Sequence, residues 1–178
     1  MIARLAGWHR HHLPPALAAV ALSLLLALSA AAEGPSDAPG PGFVLEDSAT
    51  GAETRLDTDA LRRLPLTDYV TGTVWTDAVH RYTGVLLRDL LLQAGIDPAA
   101  GNGSVTVHAL DGYSATIAFE EVTDTAPMLA FLRNGMQMPL RAQGPFWLIY
   151  PYDDVPAFQT ETTYARSVWQ VSRLRVER

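Results

Sequence analysis

An α+β domain with a mixed sheet is the fold class this sequence predicts, from three observations. One stretch has a strong amphipathic helical pattern, several short runs of apolar or β-branched residues are bounded by turn residues, and the other helical patterns are too brief to alternate with them. The length of 178 residues and 48% apolar content suit a single globular domain.

Residues 43–46 read as a short strand, and Asp57 or Thr58 can cap a brief helix that runs to Leu64 before Pro65. Residues 70–75 read as a strand. From Val85 the run VLLRDLLLQAG predicts the main helix: residues 86, 87, 90, 91 and 94 line one face, Arg88 and Asp89 face outward, and Gly95 suits a left-handed cap. Residues 105–109 and 113–119 flank Asp111-Gly112, which predicts a hairpin. Residues 128–132 lead into a second tight turn at Asn134-Gly135. The continuous apolar run 146–150, closed by Pro151, suits a buried central strand. In the last segment Trp169 and Val171 share one parity and Leu174 and Val176 the other, which predicts a bulge near Ser172 or Arg173.

Residues 1–32 have the three-part shape of a secretory signal: Arg4 and Arg10, an apolar run of about 13 residues from Ala16 to Leu28, and small residues ending at Ala32. The run is short of the roughly 20 residues a membrane span needs, so cleavage near Ala32 is expected rather than a stable anchor. No arginine pair precedes it, so the chain is expected to cross unfolded by the general secretory route and to meet any ligand outside the cytoplasm. Residues 33–42, EGPSDAPGPG, read as a flexible leader, and the folded domain is expected over 43–178.

Composition excludes several functions. There is no cysteine, which removes disulfides, thiolate metal sites and cysteine nucleophiles. Every basic residue is arginine. From residue 33 onward eleven arginines face nineteen acids, a net charge of −8 that disfavours nucleic acid and anionic membrane surfaces as partners.

Only His80 and His108 follow the signal region, and neither has ligand-spaced neighbours, so no metal site is expected. His108 reads as a strand-face residue, and His80 as a loop residue beside Arg81 and Tyr82. The paired acids Asp153-Asp154 read as solvated loop residues. No GxSxG elbow and no glycine-rich phosphate cradle occur. What stands out is a set of aromatic and arginine residues in expected loops and strand ends: Trp75, His80, Arg81, Tyr150, Tyr164, Arg166 and Trp169, with Tyr82 and Tyr152 beside them. Such residues can hold a planar ring with hydrogen-bonding edges. Trp147, within the apolar run, reads as core, whereas Trp75 and Trp169 fit core and pocket equally well.

Five pieces occur in order over roughly residues 64–176: YTGVLLRDLL from Tyr82, Leu110-Asp111-Gly112-Tyr113, Leu129-Ala130 with Asn134-Gly135, Gly144-Pro145 with Tyr150-Pro151, and Ala165-Arg166-Ser167-Val168. Together they resemble the molybdopterin-binding domain of the sulfite oxidase family. The resemblance implies that fold, and implies that Arg166 and Ser167 face a pterin. Two departures matter. Family enzymes supply a cysteine thiolate from the region matching 70–75, which here reads VTGTVW, and they often carry lysine at the position aligned with Trp169.

Without the thiolate, molybdenum is not expected. The chain is then similar to small cysteine-free periplasmic proteins that bind a reduced, metal-free pterin. These act on the periplasmic domain of a membrane enzyme that makes or degrades cyclic di-GMP. The resemblance thus implies a non-catalytic pterin-binding regulator, with the ring stacked on Trp75 or Trp169 and polar contacts from Arg81, Arg166, Ser167 and groups near Tyr150. The alternative is a molybdopterin-dependent oxidoreductase, or a subunit of one, that holds its metal without a protein sulfur. A third reading is an adaptor that keeps the fold and binds no small molecule.

Overall fold

Among the described residues ten strands form two sheets, and the alternation of side chains along the strands decides what each face packs against. The computed structural model describes residues 40–178; the expected signal and most of the expected leader lie outside them. The first sheet has the order β2-β1-β10-β5-β6, built from β1 (Gly42–Asp47), β2 (Ala52–Asp57), β5 (Ser104–Ala109), β6 (Ser114–Ala118) and β10 (Val171–Glu177). It is mixed, because β1 runs parallel to β10 while its other pairs are antiparallel. The second sheet comprises β3 (Thr67–Thr71), β4 (His80–Leu86), β7 (Met128–Arg133), β8 (Met136–Gln137) and β9 (Trp147–Ile149), and is wholly antiparallel. A single bridge between Trp147 and Trp169 links β9 to the segment leading into β10.

Local chemistry accounts for the element ends. Asp57 caps α1 (Thr58–Leu61) by accepting from the Ala60 amide at 2.8 Å. The main helix, α2 (Leu87–Gln93), ends in a Schellman motif: the Gly95 amide donates to Leu92 and the Ile96 amide to Leu91, both at 2.9 Å. Gly95 stands at φ +76°, a conformation that glycine adopts without strain. Asn134 and Gly135, both at positive φ, form the tight turn from β7 to β8. The bulge in β10 falls where the parity slip places it: register shifts between Val171 and Arg173, and Ser172 Oγ donates to the His108 carbonyl at 3.1 Å.

Four expectations need correction. Val85 and Leu86 close strand β4 instead of opening the helix, because their backbones pair with Leu129 and Met128 of β7. His80, expected in a loop, opens that strand. The strand expected over 70–75 ends at Thr71, leaving Trp75 in a loop. There the Gly72 amide donates to Asp153 Oδ2 at 2.7 Å, and the Thr73 hydroxyl accepts from the Trp75 amide at 3.2 Å. The run 146–150 is buried as expected, yet β9 is not central. It pairs with one end of β7, on the same edge that β8 occupies at the other end.

Parity along β4 and β7 places both faces of the second sheet against packed side chains. Val85, Leu129 and Phe131 join Leu87, Leu90 and Leu91 of α2 and the inner face of the first sheet in a core of aliphatic residues and phenylalanines. Tyr82, Leu86, Met128 and Ala130 point the other way, onto Trp147, with Trp75 and Trp169 packed at the margin. Gly84 sits at the closest strand approach: a Cβ there would lie 2.2 Å from the Leu129 carbonyl oxygen.

Candidate functional site

The aromatic face of the second sheet opens into a cavity of about 310 Å³. Three stretches of chain build it. The β3–β4 loop supplies Trp75, the β5–β6 hairpin supplies Ala109, Asp111 and Tyr113, and α3 (Glu161–Arg166) with the segment after it supplies Tyr164, Ala165, Ser167, Val168 and Trp169.

Trp75 is half-buried and sits among three other rings. Its centroid is 5.8 Å from Trp147, 5.7 Å from Tyr164 and 5.5 Å from Trp169, and each pair meets edge to face. The loop that carries it is held by the Thr73 and Thr76 hydroxyls, 2.9 Å apart, and by Asp153, which receives the Gly72 amide. Asp153 therefore positions this loop.

Behind the cavity, Trp147 is fully buried and its Nε1 donates to the Ser167 carbonyl at 3.1 Å. Ser167 Oγ donates to the Thr163 carbonyl at 2.8 Å and also contacts the Tyr152 hydroxyl. With these bonds made, Ser167 acts as a fixed part of the wall. Tyr82 lies below Trp147, centroids 5.6 Å apart, and its buried hydroxyl has no hydrogen-bond partner. Burial pushes the Tyr82 pKa up, while the Thr76, Arg133 and Thr73 side chains around it act in the opposite direction.

At the rim, the Tyr113 hydroxyl donates to the Ala165 carbonyl at 2.7 Å and ties the hairpin to the end of α3. Asp111 Oδ1 accepts from the Tyr113 amide at 2.9 Å. Among the described residues that line the cavity, Asp111 is the one charged side chain.

The structure brings together Trp75, Tyr164, Ser167 and Trp169 of the eight residues singled out by sequence. The other four stand elsewhere. His80 Nδ1 lies 3.0 Å from the Asn134 side-chain Nδ2, and Arg81 pairs with Asp68 at 2.9 Å on the solvent-exposed surface at the start of β4. Tyr150 is buried in a satellite cluster with Tyr152 and Phe158. Arg166 forms an ion pair with Glu121, in the turn after β6, and does not line the cavity. Asp111 and Tyr113 belong to the site and were not read as site residues. The Leu110-Asp111-Gly112-Tyr113 piece contained them, but a turn dipeptide announces a hairpin before it announces a binding rim.

The chain belongs to the oxidoreductase molybdopterin binding domain family, whose model matches residues 51–153. Among solved structures it is similar to the sulfane dehydrogenase SoxCD from Paracoccus pantotrophus, with a TM-score of 0.53 and 20% identity, a likeness of fold. That match covers 76% of this chain and 37% of the dehydrogenase chain. No curated protein sequence matches.

The residues present fit the two parts of such a cofactor unequally. A pterin ring suits a cavity walled by Trp75, Trp169 and Tyr164 with polar groups at its rim. The metal finds no comparable donor set. The chain has no thiol, and no group of three or more His, Asp or Glu converges among the described residues. The hydroxyls of Thr71 and Thr73 are hard neutral oxygens already hydrogen-bonded to neighbours. No basic side chain among the described lining residues is available to a phosphate.

Proposed function

We propose that this protein binds a reduced, metal-free pterin in the cavity under Trp75 and performs no chemistry on it. The carrying observation is the pairing of an aromatic cavity with a β3–β4 loop that offers threonine hydroxyls and no soft metal donor. In this reading Trp75, Trp169 and Tyr164 supply the apolar surface for the ring, Ser167 and Val168 form the fixed wall, and the hairpin rim supplies polar contacts.

The same reading makes the protein an exported regulator in the periplasm, acting on the periplasmic domain of a membrane protein that makes or degrades cyclic di-GMP. Export rests on residues 1–32, and the partner class rests on the family resemblance. The β3–β4 loop supports coupling of ligand to partner, because it turns Trp75 inward while Val74 and Val79 stand 61% and 59% exposed. A ligand that shifts this loop changes the surface a partner meets, provided that the partner distinguishes the two states.

A second reading is favoured by the family match: a molybdopterin-dependent oxidoreductase, or a subunit of one. The test is to isolate the processed protein from its native periplasm, denature it, and analyse what is released by mass spectrometry, fluorescence and metal analysis. A metal-free pterin near one equivalent is the expected result. Stoichiometric molybdenum with a dithiolene pterin would replace the regulator by the enzyme. A protein that is empty and ignores added pterins would leave a protein-binding adaptor.

A further inference from the structure

We infer that Asp111 reads the donor edge of the bound ring, so that the cavity selects a 2-amino-4-oxopteridine over its 2,4-dioxo counterpart. The inference rests on the pterin-binding reading and adds to it the group that sets specificity.

Three observations carry it. Asp111 is the one charged residue among the described residues lining the cavity and stands at its exposed rim, so a ring whose donor edge points to that rim meets a carboxylate. The carboxylate is held in place before any ligand arrives. Its Oδ1 accepts from the Tyr113 amide at 2.9 Å, Gly112 takes φ +89° in the turn, and the Ala109 amide donates to the Tyr113 carbonyl at 2.8 Å. The hairpin is pinned on both sides of the cavity as well. The Leu110 amide donates to the Gln170 carbonyl at 3.0 Å, and the Tyr113 hydroxyl donates to the Ala165 carbonyl. Asp111 is thus placed by the loop geometry and not by a flexible stem.

The chemistry follows from the acceptor inventory. An ionised carboxylate only accepts, through about four lone-pair sites, and the Tyr113 amide takes one of them. The pyrimidine ring of a pterin presents a 2-amino group and an N3–H side by side, two donors that a carboxylate can receive together as charge-assisted hydrogen bonds. The dioxo ring, lumazine, keeps N3–H but replaces the amino group by a carbonyl oxygen. One of the two adjacent donors becomes an acceptor facing the carboxylate, so the paired arrangement is lost and a repulsive contact takes its place.

The test titrates the processed wild-type protein and the Asp111→Asn variant with the tetrahydro forms of pterin and of lumazine under exclusion of oxygen, following binding by calorimetry. Asparagine keeps the oxygen that receives the Tyr113 amide, so the hairpin is expected to stand and Tm to change little. Wild type is expected to bind pterin about 30-fold more tightly than lumazine, and D111N to bring the two within about 3-fold, chiefly by weakening pterin. The Asp111→Ser variant retains a turn acceptor by a shorter side chain and is expected to lose the preference in the same way. Should both variants fold and keep the wild-type ratio, the Asp111 inference is overturned while pterin binding stands. Should wild type bind neither ring, the binding reading falls and the inference with it.

Discussion

The two faces of the second sheet differ in kind. On one, Val85, Leu129 and Phe131 meet Leu87, Leu90 and Leu91 of α2, and all six are at most 1% exposed. On the other, Tyr82, Trp147, Trp75, Trp169 and Tyr164 meet edge to face, leaving a cavity and one buried phenol without a partner. Branched aliphatic side chains interdigitate closely around the few phenylalanines of the first face, whereas the larger tryptophan and tyrosine rings of the second, joined at their edges, leave slots between them. The same period-two alternation in β4 and β7 feeds both faces, so one sheet provides a stable backing and a recognition surface.

The tyrosines divide the faces most sharply. Tyr69 and Tyr82 belong to the aromatic face, Tyr150 and Tyr152 to the satellite cluster beyond Tyr164, and the main core contains none. Burial raises each of the four above the usual tyrosine value of 10.0. Below pH 10 both folded and unfolded chains keep these protons and stability is complete. Above it the unfolded chain loses protons that the folded chain retains, so stability falls with rising pH until the folded tyrosines also ionise. On the order of 4 kcal/mol is expected to be lost by pH 11 from Tyr69, Tyr150 and Tyr152 together, measured by urea unfolding at pH 8 and pH 11. A flat profile would mean that the aromatic side opens before the core does.

Substitutions sharpen the contrast at smaller cost. Gly84→Ala forces a methyl group against the Leu129 carbonyl and is expected to cost about 3 kcal/mol, read as a lower urea midpoint. Leu90→Ala is expected to cost about 3 kcal/mol while the folded fraction binds pterin within about 2-fold of wild type. Trp75→Ala is expected to reverse that pattern, with about 1 to 2 kcal/mol of stability lost and pterin affinity lowered by about 30-fold or more, read by calorimetry. If Leu90→Ala weakened binding as much as Trp75→Ala, the faces would not be separable. The smallest effect is expected from Arg166→Ala. The Arg166–Glu121 pair is partly exposed, so its loss should cost about 1 kcal/mol or less and leave affinity unchanged.

Arg166 also marks where reading residues one by one stops. Its neighbours Ser167 and Trp169 do line the cavity, and the family resemblance points all of them at a ligand, but Glu121 lies 45 positions away and captures the guanidinium. His80 and Arg81 open strand β4 for a similar reason: pairing with β3 and contact with Asn134 place them there. Asp111 shows the opposite failure, a residue whose turn was legible and whose place at the cavity was not. The cap at Gly95, the hairpin at Asp111-Gly112 and the bulge near Ser172 were all legible, because each rests on interactions within a few residues or on strand parity.

The amino-acid sequence by itself determined the class of fold, the turns and caps, the core character of Trp147, and the lack of any thiol for a metal. These follow from local backbone preferences, from the period of the apolar pattern and from composition. Only the tertiary structure decided that Val85 and Leu86 are strand, that Trp75 leaves the strand to meet Tyr164 and Trp169, and that Asp111 reaches the same cavity. Each of those outcomes depends on a partner far along the chain. Pairing with β7 outweighs a helical period at Val85, and the capture of the Gly72 amide by Asp153, 81 positions away, ends β3 before Trp75.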